Sequence, residues 1–96
     1  MSSLCLTLAE HSGTFLQQKI NQYCNQVEFI EVRLDYLDDM AVPALPRTSA
    51  AKFIATCRPP REGGLFRGTE AERLSVLESA AKVGFNWIDL EKDVPL

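Results

Sequence analysis

Phe29-Ile30-Glu31-Val32-Arg33-Leu34-Asp35 decides the fold class of this chain. Successive side chains on a strand point to opposite faces, so Ile30, Val32 and Leu34 share one face while Glu31 and Arg33 share the other. Charged residues on the inner side of a core strand are costly unless paired or put to use. The stretch therefore predicts a strand with one apolar face for packing and one polar face for a binding pocket. Phe53-Ile54-Ala55-Thr56-Cys57-Arg58 repeats the arrangement and runs on into Glu62-Gly63-Gly64.

Outward from these two runs, Leu4 to Leu8 is short and apolar and reads as a first strand. From Thr14 to Cys24 the period changes. Phe15, Leu16, Ile20, Tyr23 and Cys24 return at helical intervals, and Thr14 with Gln17 has capping-box spacing. The second strand spans Val27 to Leu34, and the region from Tyr36 to Ser49, holding Pro43 and Pro46, supports only a short or broken helix. Lys52 to Cys57 is the third strand, and Pro59-Pro60-Arg61-Glu62-Gly63-Gly64 is a loop. Thr69 with Glu72 opens a helix whose stripe of Leu74, Leu77, Ala80, Ala81 and Val83 ends at Gly84. Phe85 to Leu90 is a fourth strand.

Strands alternating with helices imply parallel pairing through right-handed crossovers. A small open α/β sheet, a doubly wound domain and the first half of an eight-stranded (β/α) barrel all have this order. No glycine-rich phosphate motif follows the first strand, which weakens the nucleotide-binding versions. Polar parity favours the barrel: Cys5 and Thr7, Glu31 and Arg33, Thr56 and Arg58, and Trp87, Asp89 and Glu91 each fall on one side of their strand. Inward residues at the C-terminal strand ends of such a barrel line its active site. The expected fold class is α/β, with parallel βα units forming the first half of a (β/α)8 TIM barrel of about four strands and two to three helices.

Ninety-six residues suit one small domain or one piece of a larger one. Hydrophobic residues at 46% and charged residues at 24% describe a folded globular chain rather than a disordered one. The net charge of -3 leaves no basic footprint for nucleic acid, so an anionic ligand must be met by local arginines. Cys5, Cys24 and Cys57 form neither a CxxC nor a Cys/His cluster, which argues against a disulfide framework and a zinc site and for a reduced, cytoplasmic setting. The N-terminal apolar stretch lacks a basic n-region and is too short to span a membrane. No metal or cofactor is expected.

Glu31 and Arg33, two apart on one strand face, either pair with each other as a structural ion pair or offer a carboxylate and a guanidinium fork to a hydroxylated ligand. Arg58 stands at a strand end, where an arginine suits a ligand carboxylate but also occurs as a solvated loop residue. Glu62-Gly63-Gly64 joins an acid to two residues tolerant of positive φ, the composition of a pocket wall. Asp89 and Glu91 read as structural charges. His11 lies in a polar loop and reads as solvent-facing, and none of Lys19, Lys52, Lys82 and Lys92 occupies a desolvated interior position. The residues describe a pocket wall without an evident catalyst.

Glu31-Val-Arg33-Leu-Asp35, Thr56-Cys-Arg58, Glu62-Gly63-Gly64 and Trp87-Ile-Asp89-Leu-Glu91, in that order and spacing, resemble the N-terminal half of type I 3-dehydroquinate dehydratase. The resemblance runs from about Leu4 to Glu91. It implies a (β/α)8 barrel of the shikimate pathway that removes water from 3-dehydroquinate through a lysine Schiff base, with a histidine as general base and then general acid. Carried over by position, Thr7, Glu31, Arg33 and Arg58 are substrate-binding residues and Glu62 orients the catalytic histidine.

That histidine and the imine-forming lysine are expected on later strands, beyond Leu96. Residues 1–96 are accordingly expected to be a half-barrel, inactive alone, and open to self-association through its uncovered surfaces. The competing expectation is a non-catalytic α/β module that binds a carboxylate through Arg33 and Arg58 or serves oligomerisation.

Overall fold

A computed structural model of the chain describes residues 4–39 and 41–89. Strand β1 (Cys5–Leu8) leads into helix α1 (Gly13–Tyr23), and β2 (Phe29–Arg33) ends in a 3-10 turn over Leu34–Tyr36. Strand β3 (Lys52–Thr56) is followed by a second 3-10 turn (Pro60–Glu62), helix α2 (Glu70–Lys82) and strand β4 (Trp87–Asp89). All four strands run parallel in the order β1-β2-β3-β4, so each β-strand pairs with the next in sequence. This is the strand order of the first half of a (β/α)8 barrel. No helix among the described residues is long and apolar enough to cross a membrane.

The strand register follows the polar parity. Thr7 lies beside Glu31, Glu31 beside Ile54, Arg33 beside Thr56 and Thr56 beside Asp89, so the expected polar residues of neighbouring strands share one face. The opposite face carries Leu8, Ile30, Val32, Phe53 and Ala55, all buried, with Leu16 and Ile20 of α1 and Leu77 and Ala80 of α2 in the same core. Burying each large aliphatic chain there contributes roughly 1.5–3 kcal/mol.

Helix α1 starts differently from the expectation. Its N-cap is Ser12, not Thr14: Ser12 has extended backbone angles, and its Oγ accepts the Phe15 N–H at 3.3 Å. With the helix set in this phase, Leu16, Ile20 and Cys24 face the core while Phe15, expected on the apolar stripe, stays 61% exposed. Leu16, Ile20 and Cys24 recur every four residues and share one face, and Phe15, about 100° round from Leu16, falls outside it.

Between β2 and β3 the chain is an extended strap. The expected short helix is reduced to the 3-10 turn at Leu34–Tyr36, and residues 41–51 form no regular element. Side chains of α1 and the turn after it supply the partners a helix would have provided internally. Gln17 Nε2 donates to the Ala44 carbonyl at 2.8 Å and its Oε1 accepts the Ala44 N–H at 3.2 Å, while Asn25 Oδ1 accepts the Ala50 N–H at 2.9 Å. These bonds tie an exposed segment without regular structure to α1 and the turn that follows it.

Helix α2 carries the expected capping box. Thr69 Oγ1 accepts the Glu72 N–H at 3.1 Å, and Glu72 Oε1 accepts the Thr69 N–H at 2.8 Å. Its C-terminus closes at Gly84, whose φ of 108° is open to glycine. The buried face differs from the expected stripe: Arg73, Leu77 and Ala80 are buried, whereas Ala81 and Val83 are exposed. Strand β4 begins at Trp87 rather than Phe85, because Asn86 caps the sheet edge by accepting the Phe53 N–H on Oδ1 at 2.8 Å and donating its own N–H to the Phe53 carbonyl at 2.9 Å. Phe85 turns into the core against Phe53, ring centroids 6.1 Å apart. Leu90 and Glu91 lie outside the described residues.

Candidate functional site

The polar sheet face concentrates its hydrogen-bonding groups toward the C-terminal ends of the strands. Glu31 sits at its centre. Thr7 Oγ1 of β1 donates to one carboxylate oxygen at 3.0 Å, and Thr56 Oγ1 of β3 donates to the other at 2.8 Å. The carboxylate is thus held in place from both neighbouring strands, an arrangement that follows from the parallel register alone.

Glu31 and Arg33 do not pair with each other, contrary to one of the two sequence expectations. The strand stops at Arg33, and the following 3-10 turn brings Asp35 back under the guanidinium. Arg33 Nε donates to Asp35 Oδ1 at 3.1 Å and Nη2 to Oδ2 at 2.9 Å, a bidentate fork that holds the arginine even more firmly protonated than usual. The Tyr36 ring lies against the same guanidinium, 5.1 Å from Cζ to the ring centroid. Asp35 and Tyr36 together fix the orientation of the Arg33 guanidinium.

Arg58 lies two residues beyond Thr56 and half-exposed, at the rim rather than free in solvent. Its Nη2 donates to Asp89 Oδ2 of β4 at 2.5 Å. Asp89, read from sequence as a structural charge, is that and more, since it aims the rim arginine. The backbone around Arg58 is pinned as well: Phe66 N–H donates to its carbonyl at 3.1 Å, and Gly64 passes so close that a Cβ there would stand 2.0 Å from the same oxygen. Gly63 has φ 79°, left-handed backbone that a side chain disfavours. The Gly-Gly pair is therefore a wall folded against Arg58, and Glu62 stands exposed at its start, on the 3-10 turn.

Of the sequence candidates, Thr7, Glu31, Arg33 and Arg58 come together on one face. His11 does not join them. It is exposed, 3.6 Å from Asp38, with its ring tilted against that of Tyr36 at 5.8 Å between centroids. Lys52 shares the strand parity of the site but opens β3 at its N-terminal end, roughly 13 Å along the strand from Thr56. Two contributors escaped the sequence reading. Asp35 was hidden because alternation puts Glu31 and Asp35 alike two residues from Arg33, and only the turn after β2 decides between them. Arg73 was hidden because an arginine on a helix reads as a solvated residue, whereas here it is fully buried and donates to the Cys57 carbonyl at 2.9 Å.

Fold and face together define a parallel α/β half-barrel whose strand ends present two oriented arginines and one anchored carboxylate. A family model described as type I 3-dehydroquinase matches residues 4–96. The 3-dehydroquinate dehydratase of Desulfotalea psychrophila is 47% identical over 64 residues, covering 67% of this chain and 28% of that protein. The 3-dehydroquinate dehydratase of Syntrophobacter fumaroxidans is 40% identical over 77 residues, with 72% and 33% covered, and that of Methanopyrus kandleri 39% identical over 70, with 68% and 32% covered. The chain belongs to the type I 3-dehydroquinase family. Its matches span 28% to 33% of the length of these relatives.

Proposed function

We propose that residues 1–96 form the N-terminal portion of a 3-dehydroquinate dehydratase, a lyase of the shikimate pathway, and supply part of its substrate site. One observation carries the reading: a chain of this family gathers Glu31, Arg33 and Arg58 on one sheet face at the C-terminal strand ends. The substrate combines a carboxylate, several hydroxyls and a ketone on one ring. A guanidinium fork suits the carboxylate, and a carboxylate fixed by two threonines suits a hydroxyl donor.

In this reading a lysine amine supplied elsewhere in the polypeptide condenses with the ketone, releasing water and forming an imine. A base removes the proton from the adjacent carbon, the electron pair forms the new C=C bond, and the neighbouring hydroxyl leaves as water after receiving a proton. Hydrolysis of the imine frees the lysine and the enone product. Thr7, Glu31, Arg33 and Arg58 hold and orient the ring through these steps, and Glu62 acts from the loop on the general base. No metal or cofactor enters the chemistry, and the buried thiols Cys24 and Cys57 suit a reducing cytoplasm.

The test is borohydride reduction in the presence of 3-dehydroquinate, read by peptide mass spectrometry, alongside the rise in ultraviolet absorbance of the enone. A longer protein carrying this segment is expected to give one lysine adduct and turnover, and residues 1–96 alone neither. Single-site labelling of the 96-residue chain would contradict the division of roles. A second reading, a non-catalytic carboxylate-binding module, draws on the fact that both arginines already hold carboxylates, Asp35 and Asp89. Calorimetric uptake of 3-dehydroquinate without turnover in the longer protein would favour it.

A further inference from the structure

Arg73 projects from α2 into the interior, 0% exposed. Its Nη1 donates to the Cys57 carbonyl at 2.9 Å, and its Nε, at 3.1 Å, grips the Glu70 carboxylate together with Nη2. Glu70 is shared with Arg61 of the 3-10 turn, whose Nη1 lies 3.5 Å away. An apolar residue of similar volume could fill the same space without desolvating a charge. What an apolar residue cannot do is hold the Cys57 oxygen.

That oxygen belongs to the peptide unit whose N–H is that of Arg58, and the unit is planar. Fixing one end of the plane fixes the direction in which the chain enters Arg58. Leaving Arg58, the next peptide is held by the Phe66 N–H at 3.1 Å and walled by Gly64. Glu70 extends the grip to the turn through Arg61. The rim arginine is therefore clamped on both sides of its Cα, and α2 provides one of the two jaws.

We propose that Arg73, braced by Glu70, is a positioning residue that sets the backbone of Arg58 and hence its reach toward a ligand carboxylate. The inference rests on the reading of Arg58 as a substrate-binding residue. It assigns α2, remote from the polar sheet face, a part in substrate affinity.

The test compares Arg73→Met, Arg73→Lys and Glu70→Gln in the intact protein, with 3-dehydroquinate as the probe. One readout needs no ligand: the 15N NMR signal of Arg58 Nε–H, which reports its setting beside Asp89. Arg73→Met is expected to shift that signal and to raise KM about tenfold, the equivalent of one hydrogen bond to a charged group, with a smaller change in kcat. Arg73→Lys, which keeps a donor for the Cys57 carbonyl, should recover part of the loss.

In an Arg58→Ala background Arg73→Met should raise KM no further, because its effect passes through Arg58. An equal rise in that background, or an unmoved Arg58 signal in folded Arg73→Met, overturns the proposal. Where Arg73→Met does not fold, the half-exposed Glu70→Gln carries the same comparison with a smaller shift. Absence of turnover in the wild-type protein refutes the dehydratase reading alone, and the NMR arm still decides whether Arg73 sets Arg58.

Discussion

Asp35, its side chain fully enclosed, receives Arg33 Nε at 3.1 Å and Nη2 at 2.9 Å. The same carboxylate accepts the Leu65 N–H at 3.1 Å, so one buried acid aims an arginine of β2 and ties down the loop that follows β3. Removing it leaves a largely buried guanidinium and a loop amide without their acceptor. Asp35→Ala is expected to destabilise the fold by about 3–5 kcal/mol, measured by urea unfolding, and Asp35→Asn by less because one acceptor oxygen survives.

The two glycines of the loop should respond differently. Gly63→Ala meets no neighbouring atom but must hold φ 79°, at a cost of about 1–2 kcal/mol. Gly64→Ala drives a Cβ to within 2.0 Å of the Arg58 carbonyl oxygen, backbone that cannot yield locally. Unfolding midpoints should fall further for Gly64→Ala, and the Arg58 Nε–H signal should move in Gly64→Ala and stay in Gly63→Ala.

Thr56 is wholly buried and gives its hydroxyl proton to Glu31 at 2.8 Å. Thr56→Val keeps the volume and removes that donor, leaving Glu31 with Thr7. A loss of about 1.5–3 kcal/mol is expected from thermal unfolding, in the range of hydrogen bonds to charged groups. Thr7→Val, on the exposed side of the same carboxylate, should cost less.

Acid should loosen α2. Glu72 is held below its ordinary value of 4.5 by the Thr69 N–H and hydroxyl, and Glu70 below the same value by Arg73 and then Arg61. A depressed folded value means that the stabilisation is fully present above pH 4.5 and is lost as pH falls from there through the folded values. Glu72→Gln retains a capping acceptor while removing one titration. Circular dichroism melts between neutral and acid pH should show a shallower loss for Glu72→Gln than for the wild type; equal slopes would exclude a part for the capping box.

Two aromatic rings lie toward the N-terminal end of the polar sheet face: Phe29 and Trp87 have ring centroids 5.8 Å apart, and Trp87 is 49% exposed. Among the described residues β1 and β4 also stand at the two ends of the sheet, and an unpaired sheet edge invites further strands. Residues 1–96 in isolation are expected to self-associate, and Trp87→Asp to shift sedimentation toward the monomer with its circular dichroism unchanged. Monomeric behaviour of the unmodified segment at high concentration would refute this.

Much of this molecule is legible along the chain because strand alternation is local. Ile30 and Val32 opposite Glu31 and Arg33 require only the pleat, and the same parity on four strands places Thr7, Glu31, Thr56 and Asp89 on one side. The capping box of Thr69 and Glu72 spans a single turn and was equally readable. The start of α1 was not, because Ser12 and Thr14 both offer hydroxyls and only the backbone angles at Ser12 choose between them.

By itself, then, the sequence determined the order of elements, the polar face and the identity of its arginines, all consequences of spacing within a few residues. Tertiary structure alone decided the partners. Arg33 turned from Glu31 to Asp35 because the strand stops and a 3-10 turn begins; Arg58 found Asp89 across 31 residues; Arg73 entered the core to hold the Cys57 carbonyl 16 residues back. A charged side chain must be satisfied wherever it is desolvated, and which acceptor does so depends on segments brought together in space, not on neighbours in the chain.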